Sequence, residues 1–144
     1  MTRINIGIPT QHLCDQHLVA EYRELPRMHP FAVARLAKYG STGPRPTLPT
    51  LNAGHMAYFI PYGQWLQLRF IDLLCEMTHR GFTSTLMWRE YSHQFADDIP
   101  EEHEMLAAPI LQERIRLRLT GMKPRWTLRD PPAWVDPVPG SQVR

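Results

Sequence analysis

Residues 14–27, Cys14-Asp15-Gln16-His17-Leu18-Val19-Ala20-Glu21-Tyr22-Arg23-Glu24-Leu25-Pro26-Arg27, bring together the side-chain types that proton transfer and phosphate binding require. Wound as a helix at about 100° per residue, Cys14, Leu18, Val19, Tyr22 and Leu25 share a broad apolar side. Gln16, His17, Ala20, Arg23, Glu24 and Arg27 gather on the other. Two guanidinium forks match the geometry of phosphate oxygens. Glu24 offers a carboxylate that can take a proton or steady a developing positive charge. His17 and Gln16 add an imidazole and an amide beside the small Ala20. A solvated face is the competing reading, because every amphipathic surface helix has a polar side. Such faces are usually rich in Glu and Lys rather than mixed in this way.

The chain begins Met1-Thr2-Arg3-Ile4-Asn5. A small second residue favours removal of the initiator Met, which would leave Thr2 with an α-amine. The reference pKa of an α-amine is about 7.7–8.0, against about 10.4 for Lys, so much more of it is nucleophilic at neutral pH. An amine of this kind beside a helix carrying Arg and Glu suits imine chemistry. A leading Thr is common, however, and carries nothing by itself.

Thr2-Arg3-Ile4-Asn5, followed after a gap by Asp15-Gln16-His17-Leu18-Val19-Ala20-Glu21-Tyr22-Arg23-Glu24-Leu25-Pro26-Arg27, resembles the pyrimidine-dimer DNA glycosylase family of phages and bacteria. The similarity resumes at Asn52-Ala53-Gly54-His55, Arg80-Gly81-Phe82 and Lys123-Pro124-Arg125-Trp126. The resemblance implies a repair enzyme that works without cofactor or metal on damaged double-stranded DNA, as a monomer in the cytoplasm, at the nucleoid. It also assigns roles. Thr2 supplies the attacking amine, and Glu24 positions the sugar and assists proton removal. Arg3, Arg23, Arg27, Arg114 and Arg118 hold phosphates. Gln16 and His17 line the pocket entrance, and Trp126 matches a tryptophan in a DNA-touching C-terminal segment. Two departures stand out. Arg45 is the one basic residue of the 40–51 loop, where the family has more, and Thr127-Leu128-Arg129-Asp130-Pro131-Pro132 replaces a tyrosine-rich tail. A glycosylase or abasic-site lyase for another lesion, or a non-catalytic DNA-binding relative, therefore stays open.

The elements that must carry these residues can be read in order. At 144 residues with 43% hydrophobic side chains, the chain is long enough for one domain with a real core. Its net charge of +2 does not announce a nucleic-acid binder, so any basic surface must be local. No signal peptide or apolar run of membrane-spanning length is evident, so a soluble intracellular protein with reduced Cys14 and Cys75 is expected. His12, Cys14 and His17 lie close in sequence but lack a fourth ligand, and no metal site is assigned.

Residues 6–13 read as an irregular arm. Asp15 is a candidate N-cap for a helix starting near Gln16. That helix kinks or divides at Pro26 and runs to about Tyr39, where Gly40 stops it. Residues 40–51 form a Pro/Gly loop, and His55 reads as structural. Residues 63–80 form the clearest helix, with a stripe of Leu66, Phe70, Leu73 and Met77. Trp65, Leu68, Ile71 and Leu74 extend it nearly all round, which predicts a central helix without chemistry. Gly81 suits the left-handed position after it.

The acids Asp97, Asp98, Glu101, Glu102 and Glu104 are expected on the side away from DNA. Over 105–122, strict alternation at Arg114-Ile115-Arg116-Leu117-Arg118-Leu119 suggests a strand. Ala108, Leu111, Ile115, Leu119 and Met122 form a helical stripe over a longer window, and helix is the reading adopted. Arg114 and Arg118 then share one flank while Arg116 points away. Residues from 123 are Pro-rich, and 136–144 are expected to be a disordered tail. The expected fold is all-α: one compact domain, 1–135, of about three main helices with long irregular connections.

Overall fold

Pro26 divides the first helical stretch. Helix α1 covers Asp15–Glu24, a 3-10 turn covers Leu25–Arg27, and α2 covers Met28–Tyr39. Pro26 has no N–H to give the Tyr22 carbonyl, so the α ladder breaks and the chain tightens into the 3-10 turn. Gly40 ends α2 in the left-handed conformation, φ 70°, with its N–H on the Leu36 carbonyl. The computed structural model describes residues 4–46, 48, 54–91 and 101–135, without the side chains of 101–103. The remaining helices are α3 (His55–Phe59), α4 (Gly63–His79) and α5 (Glu101–Leu119). Among the described residues every regular element is helical. The expected all-α fold is therefore the observed one, with α3 as a short helix that the sequence reading did not place. Among these helices none is long and apolar enough to cross a membrane.

The N-terminal arm belongs to the core. Ile4, Ile6, Ile8 and Leu13 are buried beside Leu18, Tyr22 and Leu25 of α1. A turn folds the arm: the Ile8 N–H donates to the Asn5 carbonyl at 3.1 Å, and Gly7 sits at φ 81°. A side chain at Gly7 would be strained, and its Cβ would lie 2.6 Å from the Glu104 carbonyl oxygen of α5. Glycine is therefore required twice, for the turn and for the close approach of α5.

Helix α4 buries Leu66, Phe70, Leu73 and Met77 as the spacing predicts. It is not enclosed all round: Leu68 is 63% and Ile71 46% exposed. Helix α4 packs against α1 and the segment just before α1. Local apolar spacing overestimates burial here, because an exposed leucine and a core leucine read alike. The chain after α4 closes through Gly81, φ 82°, with Phe82 N–H on the Met77 carbonyl and Gly81 N–H on that of Thr78.

The alternation in 114–119 resolves as helix. Ala107, Leu111, Ile115 and Leu119 of α5 are buried, and Met122 packs behind them just past the helix end. Trp65 Nε1 donates to Glu104 at 2.7 Å and ties α4 to α5. Asp97, Asp98, the side chains of Glu101 and Glu102, and the tail 136–144 lie outside the described residues.

Candidate functional site

Asp15 is not the N-cap. Cys14 holds that position, and Asp15 is the first residue of α1. The Asp15 carboxylate turns instead to stronger partners. Arg80 Nη1 donates to it at 2.9 Å, Thr127 N–H at 3.0 Å and Thr127 Oγ1–H at 2.5 Å. Charge-assisted bonds of this kind outweigh a bond to a local backbone N–H.

Thr127 belongs to a strap, residues 123–135, laid across the start of α1. The Asp15 N–H donates to the Arg125 carbonyl at 2.7 Å, which satisfies one of the donors a helix leaves open at its N-terminus. Gln16 grips the strap with both ends of its amide: Nε2 donates to the Lys123 carbonyl at 2.8 Å, and Oε1 accepts from Arg125 N–H at 3.1 Å. Glu76 of α4 takes a bidentate bond from Arg129 at 2.8 and 2.9 Å and a further one from Arg80 at 2.8 Å. Burial pushes the Glu76 carboxyl up, but the two arginines outweigh it and hold it below its ordinary value. Trp134 closes the strap, edge-on to His12.

An open groove of about 530 Å³ lies between strap and helix. Val19, Ala20 and Phe82 give it an apolar floor. Arg23 of α1 and Arg125 of the strap stand on its rims, both exposed, with Gln16, Asp15 and Thr127 at the strap end. Neither arginine side chain has a hydrogen-bond or ionic partner among the described residues.

The other flank of the polar face carries Glu24 and His17. Glu24 is buried, 8% exposed, and its partner among the described residues is Arg27, an ion pair at 3.6 Å with an exposed guanidinium. Among the described residues that pair leaves most of its acceptor capacity open, since a carboxylate has about four lone-pair sites. His17 is half-buried, and its pKa falls to about 4, first through burial and then through the charge of Arg118. Arg118 of α5 thus lies near α1, and Arg114 is exposed one turn before it.

Thr2 and Arg3 lie outside the described residues. The arm that leads to them is held firmly. Ile4 N–H donates to His55 Nε2 at 3.0 Å. Asn5 N–H and Nδ2 both donate to Glu21 Oε1, at 3.1 and 2.7 Å. Arg69 meets the same carboxylate through Nε at 2.6 Å and Nη2 at 2.9 Å, and gives Nη1 to the Ile8 carbonyl at 2.6 Å. Glu21 and Glu24 are one turn apart on α1, separated by about 60° around the axis. The arm therefore packs beside the flank that presents Glu24.

Trp126 is half-buried and packs against the core, with its indole N–H enclosed and unpartnered among the described residues. The sequence reading assigned no part to Arg125, although it stands in the Lys123-Pro124-Arg125-Trp126 match. It also missed Arg69 and Arg80, two arginines in or next to an apolar helix, which signals buried carboxylate partners elsewhere.

The arrangement offers a buried carboxylate, an anchored N-terminal arm and cations on three separate elements. That set suits a phosphate-rich ligand and chemistry at an electrophilic carbon. The family model described as pyrimidine dimer DNA glycosylase matches residues 1–90 of the chain. The match takes in the arm and α1 to α4, and leaves α5 and the strap outside it.

Proposed function

Because the chain belongs to the pyrimidine dimer DNA glycosylase family, we propose that it excises cyclobutane dimers and then cuts the strand, through an imine formed by its N-terminal Thr2. The α-amine of Thr2 attacks C1′ of the deoxyribose carrying the 5′ pyrimidine. The C1′–N1 bond breaks, its electron pair leaves with the base, and sugar-ring opening gives a protonated imine. Glu24 stabilises that positive charge and then assists removal of a proton from C2′. The electrons expel the 3′ phosphate by β-elimination, and hydrolysis of the imine returns the amine. Arg3, Arg23, Arg27, Arg114, Arg118 and Arg125 hold phosphates around the lesion. The apolar-floored groove has room for the base opposite the lesion once the duplex is kinked and that base is flipped out. The enzyme acts as a monomer on chromosomal DNA in the cytoplasm.

The observation that carries this reading is the buried Glu24, paired among the described residues with exposed Arg27 alone, on the flank of α1 next to the anchored arm. A buried carboxylate whose one partner among the described residues is a 3.6 Å pair to an exposed arginine costs stability, and catalytic sites are where such costs are tolerated. The test is borohydride trapping of Met-processed protein on ultraviolet-irradiated duplex. A covalent complex mapped to Thr2 is expected, and its absence in protein shown to lack Met1 overturns the mechanism. Abasic duplex is the companion substrate. Trapping there alone would assign the enzyme to another lesion, a second reading favoured by one observation: the strap rim of the groove lies outside the family match.

A further inference from the structure

His55 is a buried titratable side chain that the mechanism above does not use. It opens α3, directly after Gly54 at φ 93°. The left-handed glycine turns the chain so that the imidazole enters the core, where it meets Phe59 edge-on with ring centroids 5.3 Å apart. Its Nε2 accepts the Ile4 N–H at 3.0 Å, across 51 residues of sequence. An accepting Nε2 carries no proton, so the ring is neutral with its hydrogen on Nδ1. Ile4 is fully buried, and the next residue is fixed by Glu21.

We propose that His55 is a positioning residue for the N-terminal amine: its bond to Ile4 N–H fixes where the arm leaves the core, and so aims the amine of Thr2 at the sugar. The amine is two residues upstream of Ile4, a reach of at most about 7 Å. Glu21 and Arg69 hold the arm from Asn5 to Ile8, behind the Ile4 bond. The His55 bond is therefore the last described tether before the amine. Displacing a nucleophile by about 1 Å costs on the order of 100-fold in rate, so one hydrogen bond can decide the chemistry without touching substrate.

This role rests on the imine reading. The test measures trapping rate and affinity together in Met-processed protein. His55→Leu removes the acceptor, and trapping on abasic duplex should slow on the order of 100-fold. Affinity for a duplex holding a reduced, uncleavable abasic analogue should stay within about threefold, because His55 lies apart from the groove and the arginine rims. Two polar variants cover the case in which His55→Leu does not fold. Gln reaches with an amide oxygen and should trap within about fivefold of the native rate, while Asn falls short and should be at least about tenfold slower. The amide of Ile4 should exchange hydrogen faster in the Asn variant than in the Gln variant. Equal trapping rates in the Asn and Gln variants would overturn the proposal, as would losses of trapping and affinity in step. Failure of the native protein itself to trap would overturn the imine mechanism first, and this role with it.

Discussion

Glu21 and Glu24 sit one turn apart on α1, both buried, and are used in opposite ways. Among the described residues Glu21 accepts four hydrogen bonds, two from Asn5 and two from Arg69, and it is wholly enclosed. Among the described residues Glu24 has one partner, the solvent-facing Arg27 at 3.6 Å. A carboxylate with its lone pairs filled is architecture: it cannot meet a new cation without undoing the fold. A carboxylate kept from water with its lone pairs open is held ready for a charge that arrives later. Burial alone does not separate these two carboxylates; their partners among the described residues do.

The comparison can be broken most directly at Glu24. Glu24→Gln keeps the shape and removes the charge, and strand cleavage should fall by about 100- to 10,000-fold in a gel assay, with duplex affinity and melting temperature nearly native. Near-native cleavage would strip Glu24 of its role. At Glu21 the reverse is expected. Glu21→Leu leaves Arg69 buried without its carboxylate, and denaturant melts should show a loss of about 3–5 kcal/mol. A stable Glu21→Leu protein would mean that the arm is held by packing and not by the carboxylate. Smaller effects are expected on the rims. Arg23→Ala and Arg125→Ala should each weaken duplex binding, and each should flatten the log–log salt dependence by about one phosphate contact. An unchanged slope for Arg125→Ala would leave the strap rim outside the DNA interface.

The gentlest test uses pH. The folded-state pKa of His17, about 4, lies below its ordinary 6.5, so the unfolded chain binds more protons between those values. Its contribution to stability is complete above pH 6.5 and is lost as pH falls through about 4. Glu76 acts in the same sense further down, below the ordinary carboxylate range. Thermal melts of His17→Gln should therefore lose less stability than the native protein from pH 6.5 to 4.

How far these features could be read from sequence depends on their range. The break at Pro26 and the stops at Gly40 and Gly81 follow from backbone chemistry within a few residues, and each stands where that chemistry puts it. The helix over 105–122 was legible because a stripe four turns long outweighs six alternating residues. Helical spacing also placed Arg23 and Glu24 on one polar side. It could not separate Glu21 from Glu24, since the distinction is made by Asn5 and Arg69, 16 and 48 residues away. Asp15 looked like a cap for the same reason: Arg80 and Thr127 are 65 and 112 residues distant. Arg125 was visible as a letter in a motif, but its place on a groove rim depends on the grip of Gln16 on the strap.

That grip has a consequence for synthesis. The bonds from Gln16 span 107 and 109 residues of chain. At about 5–20 residues per second, a ribosome releases Arg125 roughly 5–20 s after Gln16. Throughout that interval α1 already displays its arginines but has only one wall beside it. A nascent chain that has not yet reached Arg125 can thus meet nucleic acid only on an open face, and the two-walled groove forms only once the strap has been made.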